Sequence, residues 1–262
     1  MRSFVEMYFS RWGVDMRKIL AAMTLSAGLM ALSPSSQAAL IYGSNVIVNG
    51  DAEASVGGNG FVSTPPSGWI NSASPDGINT VFYGAPSGYP LVTDPGPVDR
   101  GLNFFGGTTS NPFATLTQTL DISNVSASID AGLVSYIFSG FLGGFATQAD
   151  YAFFSVAFLD GASGTISTDT LGPVTNTDRG NLTGLLARSG GGFIPVGTRE
   201  LLFTLTSLRF EGTANDGYAD TLSFFAQGPL GETPLPAALP LFATGLGVLG
   251  FVAHRRRRKQ IA

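Results

Sequence analysis

Residue types that commonly carry catalysis are scarce in this chain of 262 residues. It has no cysteine, its one histidine is His254, and its two lysines, Lys18 and Lys259, lie near the ends. Residues 39–228 therefore contain no His, Cys or Lys, which excludes Ser–His and Cys–His catalysis, Schiff-base chemistry and the usual zinc sites there. Paired carboxylates remain, and such pairs carry out glycoside hydrolysis. The candidates are Asp150, Asp160, Asp216 and Asp220.

These aspartates lie mostly where the sequence predicts turns. Asp160 precedes Gly161, and Asp216 belongs to an Asn-Asp-Gly stretch. Aspartate is common in turns because its carboxylate accepts hydrogen bonds from nearby backbone N–H groups. We therefore predict that the protein is not an enzyme. A glycoside hydrolase that uses paired carboxylates is kept as the last alternative.

Charge is distributed unevenly along the chain. Residues 39–254 hold five basic and sixteen acidic side chains, a formal net charge of −11, whereas residues 255–259 are all basic. Nucleic-acid binding requires a basic surface that neutralises phosphates, and the central segment does not provide one. We predict no nucleic-acid partner, and cations are plausible partners of such an acidic segment.

The N-terminal residues have the pattern of a secretory signal peptide. Arg17 and Lys18 precede an uncharged apolar run over residues 19–32. Ser36 and Ala38 then supply the small residues that signal peptidase requires before its cleavage site. The sequence therefore predicts a signal helix, with the Sec machinery and signal peptidase as partners.

An apolar run near the C-terminus is long enough to cross a membrane. Leu235 to Ala253 contains no charged residue, and as a helix it would rise about 28 Å, close to the thickness of the hydrocarbon core of a bilayer. The basic cluster Arg255–Lys259 follows at once and is expected to stay in the cytoplasm. We predict a transmembrane anchor that holds the preceding segment outside the cytoplasm.

This tail resembles the PEP-CTERM sorting signal, in which a Pro-x-Pro motif, an apolar helix and an arginine cluster follow one another. The resemblance implies sorting by exosortase, a transpeptidase-like membrane protease of Gram-negative bacteria that make extracellular polysaccharide. It implies an inner-membrane location facing the periplasm, followed by release to the cell surface or the extracellular matrix. Leu235 departs from the family pattern, which usually has Glu there. The matching residues are Pro234, Leu235, Pro236, Arg255, Arg256, Arg257 and Arg258.

Taken together, the two ends divide the chain into five parts. Met16 opens MRKIL and is a better start than Met1, so residues 1–15 are interpreted as a misassigned extension. The predicted parts are a signal peptide over 1–38, an exported β-sandwich over 39–228, a linker over 229–234, a transmembrane helix over 235–254 and a basic cytoplasmic tail over 255–262.

The central segment alternates with the period of β-strands. ATLTQTLDI places Leu116, Gln118 and Leu120 on one face, and YAFFSVAFLD is apolar on both faces, as in a central strand. RELLFTLTSLRF and DTLSFFAQ are two further β-rich runs, and no stretch here shows a convincing helical period. We predict an all-β fold, an antiparallel sandwich of roughly eight to ten strands.

The order of several short stretches resembles the galactose-binding-like jelly roll of many carbohydrate-binding modules. This resemblance implies a jelly-roll sandwich and one structural calcium ion that joins its first and last strands. By position, the implied calcium ligands are Glu53 and Asp220, with Asp51 as a helper. The matching stretches are NVIVNGDAEAS, SGWI, ATLTQTLDI, YAFFSVAFLD, PVGTRELLFTL and NDGYADTLSFFA.

Three aromatic residues are the candidate ligand-binding residues. Tyr83 and Tyr89 flank the loop GAPSG, which could present two rings to a sugar, and Trp69 is the only tryptophan of the exported segment. In the resembling family the position of Trp69 usually packs inside. We predict a non-catalytic cell-envelope protein whose sandwich binds glycan or extracellular polysaccharide. The alternative is a structural surface or biofilm-matrix protein without a small ligand.

Overall fold

The structure is a computed structural model, and it describes residues 39–72, 77–107 and 111–229. The predicted signal peptide, transmembrane helix, sorting motif and basic tail lie outside these residues. No helix in the described ranges has the length and hydrophobicity needed to span a membrane.

Ten strands form two antiparallel sheets of five strands each, which confirms the predicted all-β antiparallel fold. Successive strands pass repeatedly from one sheet to the other, so the fold resembles a jelly roll. Across the first sheet the order is β1 (Ile70–Asn71), β4 (Phe113–Asp121), β9 (Glu200–Leu208), β6 (Tyr151–Leu159) and β7 (Thr165–Leu171). Across the second it is β2 (Asn79–Phe82), β3 (Asn103–Gly106), β10 (Tyr218–Gln227), β5 (Ser135–Gly144) and β8 (Gly184–Phe193). A 3-10 turn (Ser123–Val125) and a one-turn helix, α1 (Ser126–Asp130), follow β4.

The strand alternation read from the sequence is present in β4. Leu116 and Leu120 are buried and Thr119 is exposed, as the period of two requires. Gln118 shares the face of the leucines but is only half-buried. Its side-chain amide forms two hydrogen bonds with the backbone of Val48. Gln118 Nε2 donates to the Val48 carbonyl at 2.6 Å, and the Val48 N–H donates to Gln118 Oε1 at 3.1 Å. A polar residue on the core face thereby attaches an N-terminal segment to the first sheet.

Aromatic rings from both sheets meet in the main core. Phe154 and Phe203 lie on neighbouring strands of the first sheet, with ring centroids 6.2 Å apart. Phe203 reaches Phe224 of the second sheet at 5.3 Å, edge to face, and Phe138 lies 6.1 Å from Phe154. All four rings are fully buried. Burial of such a side chain contributes about 1.5–3 kcal/mol each, so these rings are a main source of the stability of the sandwich.

An N-terminal segment runs along β10 although it is not itself part of a named strand. The N–H of Gly43 donates to Ala226 at 2.9 Å, and the N–H of Val46 donates to Phe224 at 3.0 Å. At Thr221, whose φ is 52°, the ladder between β10 and β5 shifts register. Before this bulge β10 pairs with β3, and after it the N-terminal segment takes the place of β3.

Candidate functional site

The outer face of the second sheet, directed away from the main core, is partly covered by a loop. Neighbouring residues of a strand point to opposite faces, and Ala219 belongs to the main core whereas Tyr218 belongs to a second buried cluster. We call residues 83–102 the covering loop. Its Tyr83, Ala85 and Tyr89 form the second cluster together with Val81, Phe104, Leu185 and Tyr218 of the sheet.

Tilted and edge-to-face aromatic contacts hold the covering loop against the sheet. The ring centroids of Tyr83 and Phe104 are 4.9 Å apart, those of Phe104 and Tyr218 are 5.4 Å apart, and those of Tyr89 and Tyr218 are 5.8 Å apart. Aromatic pairs in tilted or edge-to-face geometry contribute about 0.5–1.5 kcal/mol beyond the burial of their area. The loop is therefore anchored by a small core of its own.

Arg100 fixes the shape of the covering loop from within. Its guanidinium donates to the carbonyls of Pro97 at 2.9 Å, Asp94 at 3.0 Å and Leu91 at 3.1 Å. It also lies over the ring of Tyr83, with Cζ 5.1 Å from the centroid, a cation–π contact. One side chain thus connects the middle of the loop to the tyrosine at its start.

The Tyr83 hydroxyl donates to Oδ2 of Asp220 at 2.6 Å, and the N–H of Thr221 donates to the other oxygen at 2.6 Å. Asp220 is completely buried, and burial raises the pKa of its carboxyl to about 7 although both hydrogen bonds lower it. Burial of the Tyr83 hydroxyl, and to a smaller extent the nearby negative charge of Asp220, raise the pKa of Tyr83 above its ordinary value. This carboxyl therefore gains a proton far more readily than an exposed aspartate.

Glu53, a predicted calcium ligand, accepts hydrogen bonds at the start of β3. Its Oε1 takes the N–H of Leu102 at 2.8 Å and the N–H of Asn103 at 2.7 Å. Its negative charge is close enough to Asp220 to help raise the pKa of that carboxyl. The third predicted ligand, Asp51, is exposed and accepts the Glu53 N–H at 3.3 Å. The two main ligands are thus electrostatic neighbours, although the described residues contain no group of three acidic or imidazole side chains placed to hold a metal. The calcium site stays a prediction.

The three aromatic residues predicted to bind ligand are all buried. Trp69 packs edge to face on Phe105 at 5.9 Å and donates its ring N–H to the Asn49 carbonyl at 3.1 Å. Tyr83 and Tyr89 are 8% and 6% exposed, because their rings pack against Phe104 and Tyr218 of the sheet. Each tyrosine nevertheless lines a surface cleft, and its role in ligand binding stays a prediction.

Tyr83 lines the larger cleft, which has a volume of about 600 Å³. Exposed apolar side chains form much of its wall, including Val56, Leu102 and Phe82. Its main polar groups, Glu53 and Asn103, are bonded to each other and to the backbone around them. Few hydrogen-bonding groups are therefore left for a ligand in this cleft.

Tyr89 lines the second cleft, of about 450 Å³, which we call the loop-end cleft. It lies where the covering loop meets the connections that follow β5 and precede β8, and its apolar wall includes Phe145, Leu91 and Leu182. Leu91 and Leu182 are 49% and 59% exposed. This cleft therefore offers apolar surface to a ligand without any rearrangement of the loop.

Three polar side chains of the loop-end cleft keep hydrogen-bonding capacity. Asp94 Oδ2 accepts the Leu91 N–H at 2.8 Å, which leaves Oδ1 without a partner in the described chain. Thr183 Oγ1 accepts the Ala146 N–H at 3.1 Å, so its own hydroxyl proton can be donated. Asn181 Oδ1 accepts from Asn176 at 3.4 Å, and its amide protons point to no described acceptor. No sequence pattern indicates these residues, because two separate segments, the covering loop and the connection that precedes β8, bring them together.

A buried polar network supports the base of this cleft. Arg179, 5% exposed, donates to the carbonyls of Gly144 at 2.8 Å, Ala146 at 3.1 Å and Gln148 at 3.3 Å. The connection after β5 is thereby wrapped around one guanidinium. Burial lowers the pKa of Arg179, and the charge of Asp216 acts in the opposite direction. Arg179 therefore has a structural task that its position in a turn-rich stretch did not indicate.

The four candidate acidic residues are used as hydrogen-bond acceptors. Asp150 is completely buried and accepts the N–H groups of Phe210, Glu211 and Asp216. Asp216 accepts the Tyr218 hydroxyl at 2.7 Å, and burial raises its pKa. Asp160 accepts two N–H groups of the turn between β6 and β7, as the sequence indicated.

Every arginine in the described residues has a partner within the fold. Arg100 and Arg179 bond backbone carbonyls, as described above. Arg188 lies 3.3 Å from Asp178, Arg199 lies 2.7 Å from Asp130, and Arg209 donates to Thr213 at 2.6 Å. Neither cleft is lined by a basic side chain. A negatively charged ligand would therefore find no unpaired cation at either cleft.

No known protein family and no curated protein matches the chain. Among solved structures, Family 16 Carbohydrate Binding Module-2 is 17% identical, with a TM-score of 0.42 over 69% of this chain and 99% of that one. A cyclase from Fischerella sp. TAU is 16% identical, with a TM-score of 0.44 over 70% and 96%. The enzymatically active domain of Bacteriophage CBA120 tailspike protein 4 is 16% identical, with a TM-score of 0.41 over 70% of this chain and 21% of its own, about a fifth of its length. Values this low assign neither an activity nor a ligand.

Proposed function

We propose that this is a non-catalytic glycan-binding protein of the cell envelope, and that the loop-end cleft receives the sugar. Glycans are held by an apolar surface together with hydrogen-bonding groups at its border, and small-ligand sites in general combine these features. Leu91 and Leu182 supply the exposed apolar surface, and Asp94, Asn181 and Thr183 supply the polar groups. The proposal rests on these polar groups, which keep unused hydrogen-bonding capacity beside exposed apolar side chains.

The electrostatics of the domain indicate which glycans fit. Asp94 is the one charged side chain that lines the cleft, and every described arginine is paired within the fold. A uronate or sulfate polymer would meet like charge, which is unfavourable when no compensating cation is present. The expected ligand is therefore a neutral or amine-bearing polysaccharide.

Pull-down of the purified chain on insoluble polysaccharides tests this proposal. A neutral glucan, a glucosamine polymer and a uronate polymer should be compared, together with polysaccharide from the producing cell. We expect retention on neutral or amine-bearing polymers, and weaker retention for Asn181→Ala and Thr183→Val. Ser167→Ala, on the exposed strand β7, is the matched control and should bind like the wild type. Retention on the uronate polymer alone would contradict the proposal.

The alternative of a structural surface or matrix protein is favoured by one observation. Tyr83, Tyr89 and Trp69 are buried, so the described domain lacks the exposed tyrosine pair that the sequence indicated as a sugar platform. A sandwich that makes only protein contacts would not need such a platform. Absence of retention on every polysaccharide, with a folded chain, would decide for this alternative.

Export and anchoring rest on the sequence of the two ends. The signal pattern before Ala39 and the apolar run before Arg255 support secretion, membrane retention and sorting by exosortase at Pro234-Leu235-Pro236. Mass spectrometry of the protein from its own cells gives both mature ends. A chain that starts at Met1 or Met16 in cells would contradict export.

A further inference from the structure

The described sheets have four edge strands, and three of them are protected against pairing with another chain. β1 is only two residues long; the ladder of β7 with β6 shifts register near one end, and the Thr170 N–H of β7 already donates to Asp169 Oδ1 at 2.8 Å. β2 is covered, because Thr80 donates to Thr64 at 2.9 Å and accepts from Gly58 at 2.9 Å. Short strands, bulges and covering segments are the usual means of protecting a sheet edge.

The fourth edge strand, β8, has a regular ladder with β5 and a free outer side. The N–H of Ile194 points towards β5 and donates to the carbonyl of Val134, just before that strand, at 2.9 Å. The N–H of Leu185 points the other way and donates to the carbonyl of Pro95 at 2.8 Å. In an antiparallel ladder the backbone N–H and C=O groups of successive residues point alternately to the two sides of the strand. No register shift interrupts the pairing. The odd-numbered residues of β8 therefore direct their backbone groups to the outer side.

Three consecutive odd-numbered residues have no backbone partner on that outer side. At one end of the strand, the N–H of Leu185 is bonded to the Pro95 carbonyl, and the carbonyl of Ala187 accepts a hydrogen bond from Nη1 of Arg188 at 3.1 Å. Ser189, Gly191 and Phe193 follow; all three are exposed, and no described residue forms a hydrogen bond with their N–H or carbonyl groups.

The composition of this edge lets another chain approach closely. Residues 189–193 (SGGGF) carry no charge, in a domain that is otherwise strongly acidic. Gly190 cannot carry a larger side chain without movement, since a Cβ there would lie 2.8 Å from the Phe138 ring. Phe193 is 68% exposed beside the edge, and Ile137, which pairs with Gly191, is 51% exposed. Backbone groups and apolar surface are thus available at the same place.

We propose that β8 pairs antiparallel with β8 of a second copy of this chain, with Gly191 on the two-fold axis. In this register Ser189 of each copy lies opposite Phe193 of the other, so every free N–H meets a free carbonyl. Such an isologous contact needs only one self-complementary surface, and the uncharged stretch avoids the repulsion that two acidic domains would meet elsewhere. The two second sheets become one continuous sheet of ten strands, counted from the five in each copy.

A second copy fits this edge better than the chain's own C-terminal residues do. Residues after β10 contain Pro229, Pro234, Pro236 and Pro240, which have no N–H to donate to a ladder. β8 of a second copy has no proline and already holds the extended conformation that pairing requires. A strand that is already extended also loses little conformational entropy when it pairs.

Amide hydrogen exchange on the purified full-length chain provides the first test, with an internal control. The N–H groups of Ser189, Gly191 and Phe193 should exchange more slowly as protein concentration rises, because dimerisation gives them partners. Those of Gly190 and Gly192 already bond β5 and should be slow at every concentration. Fast exchange of the first three at all concentrations would overturn the proposal, whatever the size of the particle.

Engineered cysteines test the register itself, since the chain has no cysteine of its own. The double variant Ser189→Cys/Phe193→Cys places the two thiols across from each other in the dimer, where Cα atoms are about 5.5 Å apart and a disulfide can form. Within one chain the same residues are about 13 Å apart, too far to bridge. We expect a covalent dimer from the double variant on oxidation and none from either single variant. No dimer, or equal yield from the single variants, would overturn the register.

Discussion

The Tyr83 hydroxyl donates a 2.6 Å hydrogen bond to the carboxyl of Asp220, which lies 137 positions later in the chain. Tyr83 begins the covering loop, and Asp220 lies on β10 where the bulge changes the partner of that strand. One bond therefore joins the loop that borders both clefts to the last strand of the sandwich. Because both groups are buried, neither can replace its partner with water without movement of the loop.

Stability should depend on pH through Asp220. Burial raises its native pKa to about 7, whereas an aspartate in the unfolded chain has a pKa of about 4. Between these values the native state holds a proton that the unfolded state has lost. The stability contributed by this group is thus present below about pH 4 and is lost as pH rises to about 7. Urea unfolding with a chelator present should show this decline in wild type.

Asp220→Asn is the matched variant for this prediction. Asparagine keeps an acceptor for Tyr83 and does not titrate, so its free energy of unfolding should change less than that of wild type between pH 4 and pH 7. Tyr83→Phe removes a bond that lowers the Asp220 pKa, and the decline should then extend to higher pH. Parallel pH profiles for wild type and Asp220→Asn would contradict the assignment to this carboxyl.

Arg179 should contribute far more to stability than the other arginine of the same region. Arg179→Met removes the donor to the buried carbonyl of Gly144 and to the half-buried carbonyls of Ala146 and Gln148, and a buried group that loses its partner costs about 1–3 kcal/mol. Arg188→Met breaks a partly exposed ion pair with Asp178 and should cost about 0–1 kcal/mol. Denaturant unfolding of both variants measures the difference, and equal losses would contradict the structural role of Arg179.

Calcium, if Glu53 and Asp220 bind it, should stabilise the native domain. A ligand at about a hundredfold excess over its Kd adds about 2.7 kcal/mol when it binds the native state alone. The melting temperature should therefore fall on addition of chelator. Glu53→Gln keeps acceptors for the N–H groups of Leu102 and Asn103 but loses the charge, so its melting temperature should not respond to calcium. Wild type that is indifferent to chelator would rule out the site.

The basic run Arg255–Lys259 should act as a stop-transfer and orientation signal. A charge at the centre of a bilayer costs about 2.5–3.5 kcal/mol on the insertion scale, so five charges oppose translocation of the tail. Replacing all five with neutral residues should release part of the protein or allow mixed orientations, which fractionation and protease accessibility measure. Unchanged membrane retention and orientation would contradict this mechanism.

Strands with regular side-chain patterns could be predicted from the sequence. β4, β6 and β9 are rich in apolar and β-branched residues, so period and propensity agree. β8 was missed because GLLARSGGGF contains glycines that disfavour strands; only its neighbour, the Phe138 ring, explains why Gly190 is needed. The covering of Tyr83 and Tyr89 could not be predicted either. It depends on Arg100 and Asp220, whose contacts arise only when the loop folds onto the sheet.

The N-terminal segment beside β10 has a mechanical consequence. Gly43 bonds Ala226 and Val46 bonds Phe224, so the chain enters and leaves the sandwich at one end, side by side. Tension between the loop-end cleft, beside the start of β10, and residues beyond Pro229 would pull along the axis of β10, which is bonded to β5 on one side and to this segment on the other. The backbone hydrogen bonds of β10 would then be loaded together in shear, which resists force better than opening them one at a time. A domain pulled between the cleft and this end should therefore rupture at a higher force than one pulled by its two neighbouring chain ends, which would open these bonds one at a time.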